Sequence, residues 1–431
     1  MTVTINSLIF FMEVVMEAIV ERCAGLDVHL DTVVACILYG DLDKKPNKEI
    51  KTFSTTTKGL LQLLDYLNIN RCTHVAMEST GVYWKPVWNV LESGAFELII
   101  ANAKKIKNVP GRKTDVKDSE WIASLLRCGL IEKSFVPPEV IRDLRDLTRL
   151  RKELLSEITR HKNRIHKVLQ DANVKVSSVL SDVFGETGKV IINELISSRC
   201  ITMNFVESLY EGRGKSRLKA TPNEMYEALN GKIRGQHIIL LTIHNNNILF
   251  LEKQIEEIEK EIDVLLQKES ESIDILNTIP GINITSAACI IAEIGSDMSV
   301  FPTEKHLSSW AGLCPKNNES AGKKKRSSIK SGNPWLRSIL CECAWASIKK
   351  KDSRFKSKYW SMVPRMGKKK ALIAIANLLL RLIYHLLKNK STYEELEIQY
   401  YVDKDKIREN KIIKELKSRG YIVQKCSLET I

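Results

Sequence analysis

The feature that most restricts the fold is a series of short apolar runs between residues 23 and 126, separated by segments with helical spacing. Apolar, β-branched runs bounded by polar turns are typical of strands, and leucines spaced three and four apart indicate helices. Strands are predicted at 23–30, 32–39, 49–54, 74–77 and 96–101. Helices are predicted at 57–67, 83–91 and from about 115 to 126. The order is three strands, helix, strand, helix, strand and helix, which indicates a mixed α/β sheet.

Acidic residues fall at the ends of these predicted elements. Asp27 lies on the first strand, Glu78 follows the fourth, and Asp115 and Asp118 begin the last helix three residues apart. Residues i and i+3 share one helix face, and two carboxylates held that close repel unless a cation lies between them. Each acid also has an ordinary explanation, as a strand-end turn residue, a helix cap or an acidic first turn favoured by the helix dipole.

This order of elements is that of an RNase H-like sheet, in which carboxylates from separate elements can converge at one edge. Mg²⁺ prefers oxygen ligands and commonly completes its coordination with water and substrate phosphate. Two such ions, about 3.5–4 Å apart, can stabilise both the attacking and the leaving oxygen of a phosphodiester. The four acids together therefore predict a site for metal-dependent chemistry on nucleic acid.

The charge balance agrees with a polyanionic partner. The chain has 66 Lys plus Arg against 52 Asp plus Glu, a net charge of +14, which points to nucleic acid or, less often, an anionic membrane. Ten cysteines without repeated spacing favour a reduced, cytosolic setting. The apolar run 7–20 is short for a membrane span, and 371–387 is interrupted by polar residues and predicts a core helix. No membrane partner is expected.

A long basic helix is predicted after Pro137 and Pro138, with an apolar stripe from Leu147 to Val168. About half of its cations are expected to be merely solvated. Those chosen as contacts to a nucleic-acid backbone are Arg160, Arg164 and Lys167. Apolar residues from 248 to 265, alternately spaced three and four apart, predict a coiled coil. It can pair within the chain or between subunits, and an antiparallel intramolecular pairing that also helps assembly is favoured.

Two further motifs lie in the last third of the chain. Pro280-Gly281 between two helical segments predicts a helix-hairpin-helix, in which backbone N–H groups near Gly281 bind phosphate, whereas an ordinary helical hairpin is the alternative. Ser320 lies in a short polar loop, where neighbouring cations could hold phosphate and stabilise charge at phosphorus. Those cations are Lys323, Lys324, Lys325 and Arg326. Alone, Ser320 has no catalytic signature and would be taken for a plain loop serine.

Basic residues with interleaved aromatic residues occupy 354–370, a pattern that suits backbone binding and base stacking. The aromatic residues chosen for this role are Tyr359 and Trp360. The stretch from Lys351 to Trp360 could equally be a loop packed on the core.

Six motifs in one order carry a resemblance to a known family: Gly25-Leu26-Asp27, Glu78-Ser79-Thr80-Gly81, Lys113-Thr114-Asp115-Val116-Lys117-Asp118, Ile279-Pro280-Gly281-Ile282, Trp310-Ala311-Gly312-Leu313-Cys314-Pro315 and Glu319-Ser320-Ala321-Gly322. With them the chain resembles the DEDD-type transposases of insertion sequences, which are described as bridge-RNA-guided recombinases related to the Piv/MooV invertases. The resemblance covers about residues 23–135 and 271–390.

The resemblance implies a RuvC-like domain in which Asp27, Glu78, Asp115 and Asp118 bind Mg²⁺. It implies that Ser320 is the nucleophile, which forms a covalent phosphoserine link to DNA and so allows rejoining without ATP. It also implies donor and target DNA, a structured guide RNA and a homo-oligomer, either dimer or tetramer, in the cytoplasm near the nucleoid. Because acids and serine lie in different domains, the active site would be shared between subunits.

The expected fold is α/β followed by α. It begins with an N-terminal extension at 1–22, whose start codon could be misassigned, and a RuvC-like DEDD catalytic domain at 23–135. A basic helical and coiled-coil region with an insertion follows at 136–270. The chain continues with an α-helical C-terminal transposase domain at 271–390, which holds a helix-hairpin-helix and the serine loop, and with a charged helical tail at 391–431. Two alternative functions remain. One is a metal-dependent junction-resolving nuclease that uses only the four acids, and the other is a non-catalytic nucleic-acid-binding protein.

Overall fold

The computed structural model describes residues 17–79, 81–102, 106, 118–211, 218–315, 319–320, 323–324, 329, 332–351, 353–395 and 409–423. For 319, 320, 323 and 324 it describes the backbone only. The chain forms two compact units, Met1–Val136 and Pro137–Ile431. Asp115, Lys325 and Arg326 lie outside the described residues. Met12 and Met16, the two alternative start residues, also lie outside them.

The first unit is built on one five-stranded sheet. Its strands are β1 Arg22–Val28, β2 Thr32–Tyr39, β3 Asn47–Ser54, β4 His74–Glu78 and β5 Glu97–Ala101. They lie in the order β3-β2-β1-β4-β5. The β1–β2 and β2–β3 pairs are antiparallel, whereas β1–β4 and β4–β5 are parallel. Its helices are α1 Thr57–Ile69, α2 Trp84–Leu91 and α3 Asp118–Arg127. The predicted mixed α/β sheet is confirmed.

Both faces of this sheet are buried, which explains why its central strands read as continuous apolar runs. Ala24 and Leu26 of β1 point to the face covered by α1 and α2. Cys23, two residues before Gly25, belongs to the opposite core, which includes Trp121 and Leu125 of α3. Because strand side chains alternate, odd-numbered residues of β1 face α3.

α3 lies almost directly on the backbone of β1. A Cβ atom at Gly25 would fall 2.3 Å from both the Ala123 nitrogen and the Ser119 oxygen, so only glycine allows this approach. The end of α3 lies at the amino end of β1, because the Arg127 guanidinium donates to the Glu21 oxygen at 3.0 Å. The helix therefore runs antiparallel to β1, and its first residues lie at the carboxyl end of the strand.

Substitution of Gly25 by alanine is expected to destabilise the first unit by about 3 kcal/mol, because the methyl group must push α3 off the sheet. Chemical denaturation followed by circular dichroism would measure the loss. Gly235→Ala is the matched control, since a Cβ there meets nothing within 4 Å. A Gly25→Ala protein as stable as the control would contradict the close helix–strand contact.

The second unit is almost entirely helical. Its helices are α4 Glu139–Asp171, α5 Val176–Val179, α6 Glu186–Ser198, α7 Met203–Ser208, α8 Pro222–Leu229, α9 Gly235–Leu266, α10 Ser270–Asn277, α11 Ile284–Ile294, α12 Glu304–Trp310, α13 Pro334–Ser347, α14 Arg354–Met366 and α15 Lys368–Asn389. Short 3-10 helices occupy Gln267–Glu269 and Met298–Val300. A two-stranded sheet of β6 Glu319–Ser320 and β7 Lys323–Lys324 precedes α13. Residues 409–418 of the tail are helical.

The two longest helices, α4 and α9, pack against each other in opposite directions. Arg151 Nε donates to Glu259 at 2.7 Å, whereas Asp171, twenty residues further along α4, binds Arg234 at 2.7 Å. Residue numbers on α9 thus fall as those on α4 rise, which makes the pair antiparallel and intramolecular. Supercoiling of this pair as a coiled coil stays a prediction, as does its contribution to assembly.

A histidine pair interrupts the apolar contact between these helices. His161 Nδ1 and His244 Nδ1 are 3.1 Å apart, so one donates to the other when both rings are neutral. Burial lowers the pKa of each ring, which favours that neutral state. The apolar stripe predicted on α4 is wrong at Leu150, which is 42% exposed, whereas Ile158, Ile165 and Val168 are buried.

In the described part of the chain, one helix, α15, is long and apolar enough to cross a membrane by length and composition. It buries Ala371, Ile375, Leu379 and Ile383 within the second unit. Tyr384 adds a polar anchor, because its hydroxyl donates to the Phe301 oxygen at 3.1 Å. These contacts agree with the prediction that this segment is a core helix.

Candidate functional site

The two strand-end acids are neighbours. Leu26 of β1 pairs with Met77 of β4 in parallel register, so the next residues, Asp27 and Glu78, lie side by side at the carboxyl ends of their strands. Neighbouring strands are about 4.8 Å apart. Both residues belong to the sheet face that α3 covers, because Ala76, two residues before Glu78, is buried in that core. The sequence prediction that these two acids converge agrees with this placement.

Asp27 is partly shielded from solvent. Its side chain is 27% exposed, and its Oδ2 lies 3.1 Å from the Nε2 of His29, a more exposed residue in the turn after β1. Glu78 is of intermediate exposure and also has an interaction partner. Both carboxylates are therefore reachable from solvent without being fully hydrated.

Asp118 begins α3 and shares this edge of the sheet. The helix runs antiparallel to β1 and packs on Gly25 through Ser119, so its first turn lies near the carboxyl end of β1. Glu120 is held on the other side of the helix, where Lys48 of β3 donates to it at 2.9 Å. At about 100° per residue, Asp118 points away from Glu120, towards the β4 side of the sheet.

These positions suit a divalent ion in part. Carboxylate oxygens are the ligands Mg²⁺ prefers, and Asp27 and Glu78 provide them at adjacent strand ends. Among the described residues, no group of three His, Cys, Asp or Glu side chains gathers closely enough to hold a metal ion. The described acids are thus two carboxylates at adjacent strand ends with Asp118 at the same edge, while Asp115 lies outside the described residues.

Ser320 lies next to the turn of a small β-hairpin. β6 pairs with β7 in antiparallel register, with Ser320 opposite Lys323 and Glu319 opposite Lys324. The register leaves a two-residue connection, Ala321 and Gly322. Separately, Pro315 forms an isolated antiparallel bridge with Ile329. The described backbone thus places Ser320 opposite Lys323, with a second lysine next along the facing strand.

A buried acid, Glu293 of α11, lies where the hairpin segment ends. It is 3% exposed, and it accepts from Arg149 Nε at 2.7 Å and from a terminal Arg149 nitrogen at 2.7 Å. The side-chain amide of Asn333, the residue immediately before α13, also donates to Glu293. Arg145 donates to the Ala292 oxygen at 2.9 Å, and burial lowers the pKa of its guanidinium.

The sequence analysis missed Glu293, although a signal was present. It is the one acid in the apolar segment from Thr285 to Ile294, and a charge in a buried helix needs a partner. The partner could not be named, because Arg149 is 144 residues away in the sequence.

The cations of α4 divide into two groups. Towards its start, Arg145 and Arg149 bind Glu293, Arg151 binds Glu259, and Lys152 donates to Ser338 at 2.8 Å. Towards its end, the row of Arg160, Arg164 and Lys167 is exposed and forms no ion pair with the described residues. Their spacing of four and three places them on one helix face. The cations that bind other parts of the protein therefore lie towards the start of α4, and the exposed row lies towards its end.

Close packing against α13 explains the glycine in the turn between α10 and α11. Gly281 has φ +88°, and a Cβ there would fall 2.5 Å from the Ser347 nitrogen of α13. The next helix is capped by Asn283, whose side chain accepts from the Ser286 nitrogen at 2.9 Å. Two helices joined by a turn at Gly281 are present, whereas the helix-hairpin-helix motif and phosphate binding at Gly281 stay predictions.

The basic segment 354–370 is helical apart from Gly367 between α14 and α15, so the loop alternative for 351–360 is wrong from Arg354 onward. Of the two aromatic residues chosen from the sequence, Tyr359 is buried and packs edge-on against Trp360 at 5.3 Å. Trp360 is 54% exposed. Only Trp360 is therefore placed to stack on a base, and Tyr359 is a core residue.

A mixed sheet of order β3-β2-β1-β4-β5 with acids at adjacent parallel strand ends is consistent with an RNase H-like domain. Comparison with protein families adds two matches. Residues 24–174 match the family described as DEDD_Tnp_IS110, Transposase, and residues 273–360 match the Transposase IS116/IS110/IS902 family. Two regions of the chain thus match families of insertion-sequence transposases, in agreement with the resemblance found in its motifs.

Individual relatives are distant. The chain is 26% identical over 214 residues to the transposase for insertion sequence element IS1111A of Coxiella burnetii, which covers 47% of this chain and 58% of that protein. It is 23% identical over 300 residues to the insertion element IS110 uncharacterized 43.6 kDa protein of Streptomyces coelicolor, covering 66% of this chain and 73% of that protein. The chain therefore spans little more than half the length of the first relative.

Proposed function

We propose that this chain is the transposase of an insertion sequence, which cuts and exchanges DNA strands through a covalent phosphoserine at Ser320. The observation that carries the proposal is the side-by-side placement of Asp27 and Glu78 at adjacent strand ends, within a region that matches a DEDD-type transposase family. Serine and acids lie in regions that both match transposase families, which supports a single activity.

Strand exchange conserves the number of phosphodiester bonds. The Ser320 oxygen forms a bond to phosphorus as the bond from phosphorus to a deoxyribose oxygen breaks, and the serine proton is lost as that oxygen gains one. The reverse step, with a hydroxyl from another strand, regenerates Ser320 and joins the strands. Because the bond energy is kept in the phosphoserine, rejoining needs no ATP.

The acids would hold Mg²⁺, with Asp27 and Glu78 as ligands and with Asp118, from the start of α3, and Asp115 completing the set. Such an ion supplies charge stabilisation to the oxygens of the phosphodiester. Lys323 and Lys324, on the strand facing Ser320, would neutralise charge at the phosphate, together with Lys325 and Arg326.

Partners of this activity are proposed to be donor and target DNA, a structured guide RNA and further copies of the chain. The guide would supply sequence by base pairing, so the protein would mostly recognise shape and phosphate. Candidate backbone contacts are the exposed row Arg160, Arg164 and Lys167, and the turn at Gly281. The surface around exposed Trp360 would add base stacking.

The test is to trap the covalent link. Purified protein, supercoiled DNA carrying the element ends, RNA transcribed from the element and Mg²⁺ are mixed, denatured with detergent and separated. We expect DNA-linked protein whose digestion yields one phosphoserine peptide, containing Ser320, and no link after chelation by EDTA. Free cleaved ends without linked protein would instead indicate a hydrolytic nuclease that uses the acids alone. Binding without cleavage would indicate a non-catalytic binding protein.

Replacing Arg160, Arg164 and Lys167 together by glutamine is expected to weaken nucleic-acid binding and its salt dependence. For duplex DNA each lost phosphate contact lowers the slope of log K against log salt by about 0.9, so three contacts lower it by about 2.7. Binding titrations over a range of salt concentrations measure this slope. The matched control replaces Lys253, Lys260 and Lys268, which are exposed in the same unit. Equal slopes for the two triple variants would contradict a specific role for the row on α4.

A further inference from the structure

The polar junction around Glu293 connects three helices at one point. Arg149 comes from α4, Glu293 from α11 and Asn333 from the start of α13. The Arg149 guanidinium also lies 5.6 Å from the centre of the Trp335 ring, on the first turn of α13. α4 holds α13 a second time, since Lys152 donates to Ser338 at 2.8 Å. The start of α13 is therefore fixed from two sides.

The start of α13 is also where the serine hairpin returns to the helical core. Asn333 follows Gly332, where an added Cβ would fall 2.3 Å from the Gly312 nitrogen, so the two ends of the hairpin segment touch backbone to backbone. Ile329 bridges Pro315 just above this base. A rotation of the start of α13 would thus act first on Gly332 and on the Gly312 backbone that Gly332 touches, which form the described base of the segment that carries Ser320.

Stability alone does not explain a carboxylate at this position. Burying a charge costs several kcal/mol, and well-packed apolar residues often do as well or better than a buried ion pair. The residues around Glu293 on α11 are alanine and isoleucine, so an apolar residue would suit the helix. A carboxylate adds directional hydrogen bonds. Its two oxygens together fix the plane of the Arg149 guanidinium and the position of the Asn333 amide.

We propose that Glu293 is a positioning residue for the segment that carries Ser320, because its bond to Asn333 fixes the start of α13 beside the base that Gly312 and Gly332 form. The inference rests on the proposed nucleophilic role of Ser320. Glu293 acts through Asn333 and has no contact with reacting atoms, so its loss changes the rate of the chemical step and leaves nucleic-acid affinity in place.

The sharpest variant is Asn333→Ser. The Asn333 side chain accepts from the Trp335 nitrogen at 3.0 Å and the Leu336 nitrogen at 3.1 Å, which is the capping role that serine also performs. Serine cannot supply the amide that reaches Glu293. The substitution therefore keeps the helix cap and removes the connection. Glu293→Gln tests the same junction from its other side.

Glu259→Gln is the matched control. It makes the same chemical change in another carboxylate bound by an α4 arginine, since Arg151 Nε donates to Glu259 at 2.7 Å. Glu259 lies on α9 and not at the base of the hairpin. A general weakening of contacts with α4 would appear equally in this control.

Two measurements decide the proposal. In single-turnover assays with Mg²⁺, DNA and the element RNA, we expect Asn333→Ser and Glu293→Gln to form the covalent link about 10- to 100-fold more slowly, the size of effect that a misplacement near 1 Å produces. Their Kd for DNA should stay within about twofold of the unmodified protein. Glu259→Gln should match the unmodified protein in both rate and affinity. Equal slowing in all three variants, or no slowing in the first two, would overturn the role of Glu293.

Hydrogen exchange separates this proposal from the proposed function. The amides of Glu319, Ser320, Lys323 and Lys324 are measured in the free protein, which needs neither DNA nor metal. Faster exchange in Asn333→Ser and Glu293→Gln than in Glu259→Gln supports the positioning role, even if the unmodified protein forms no covalent link and the proposed function fails. Unchanged exchange in both variants overturns it.

Discussion

Replacing Ser320 with alanine is expected to abolish the covalent protein–DNA link while nucleic-acid binding and the response to Mg²⁺ remain. The hydroxyl oxygen is the atom that would bond to phosphorus, and alanine removes it without changing the β-hairpin register, in which Ser320 lies opposite Lys323. Detergent-resistant DNA–protein complexes, resolved on a gel and counted per turnover, measure the effect.

Ser327→Ala provides the comparison, since it deletes the same atom from a serine in the same segment of sequence. This variant should form the link at the rate of the unmodified protein. A Ser320→Ala protein that still forms the link would show that another side chain is the nucleophile. Loss of the link together with continued release of free cleaved ends would favour the hydrolytic nuclease, in which the acids act without serine.

The sheet could be predicted from sequence because its signals are local. β1, β2 and β4 are short apolar runs in which any charged residue lies within one position of a strand end, and each is bounded by polar turn residues. The predicted bounds differ from the structure by a few residues, as at β3, which begins at Asn47 rather than at residue 49. Asp27 and Glu78 were recognisable because an acid at the end of an otherwise apolar strand is a local irregularity.

The roles of the cations on α4 could not be assigned in the same way. Arg149 and Arg160 have the same side chain on the same helix, yet Arg149 binds a buried carboxylate from α11 and Arg160 is exposed. The difference depends on which distant residue packs against each turn, and no nearby sequence records that. Tyr359 and Trp360 pose the same problem, since adjacent aromatic residues point into the core and into solvent.

The insertion between α4 and α9 shows a third limit. Its short helices α5 to α8 bury Val176, Ile191, Val206 and Met225 against the long pair, so a core forms where no periodic pattern was recognised. Elements of four to thirteen residues carry few turns of helix and therefore little periodicity. The prediction of the long helices succeeded because their spacing repeats over many turns.

Replacing Asp27 with asparagine is expected to lower the rate of strand cleavage by about 10³-fold, because a ligand to the proposed metal loses its charge and the lost stabilisation is about 4 kcal/mol. The substitution preserves shape and the strand position beside Glu78.

In the absence of metal, Asp27→Asn removes one of two adjacent negative charges, so the first unit should be at least as stable as in the unmodified protein. Saturating Mg²⁺ at about 100 times its Kd should stabilise the unmodified protein by about 2.7 kcal/mol and Asp27→Asn by much less.

Asp31→Asn is the control for both measurements, since it makes the same change four residues further on, at an exposed turn between β1 and β2. Asp31 takes part in that turn through its backbone oxygen, which accepts from Thr55 at 3.0 Å, and asparagine keeps this bond. Thermal unfolding with and without Mg²⁺ then separates the two positions, because only Asp27 adjoins Glu78 on the neighbouring parallel strand. An Asp27→Asn protein that cleaves DNA normally and gains as much stability from Mg²⁺ as the control would place the metal-dependent chemistry elsewhere in the chain.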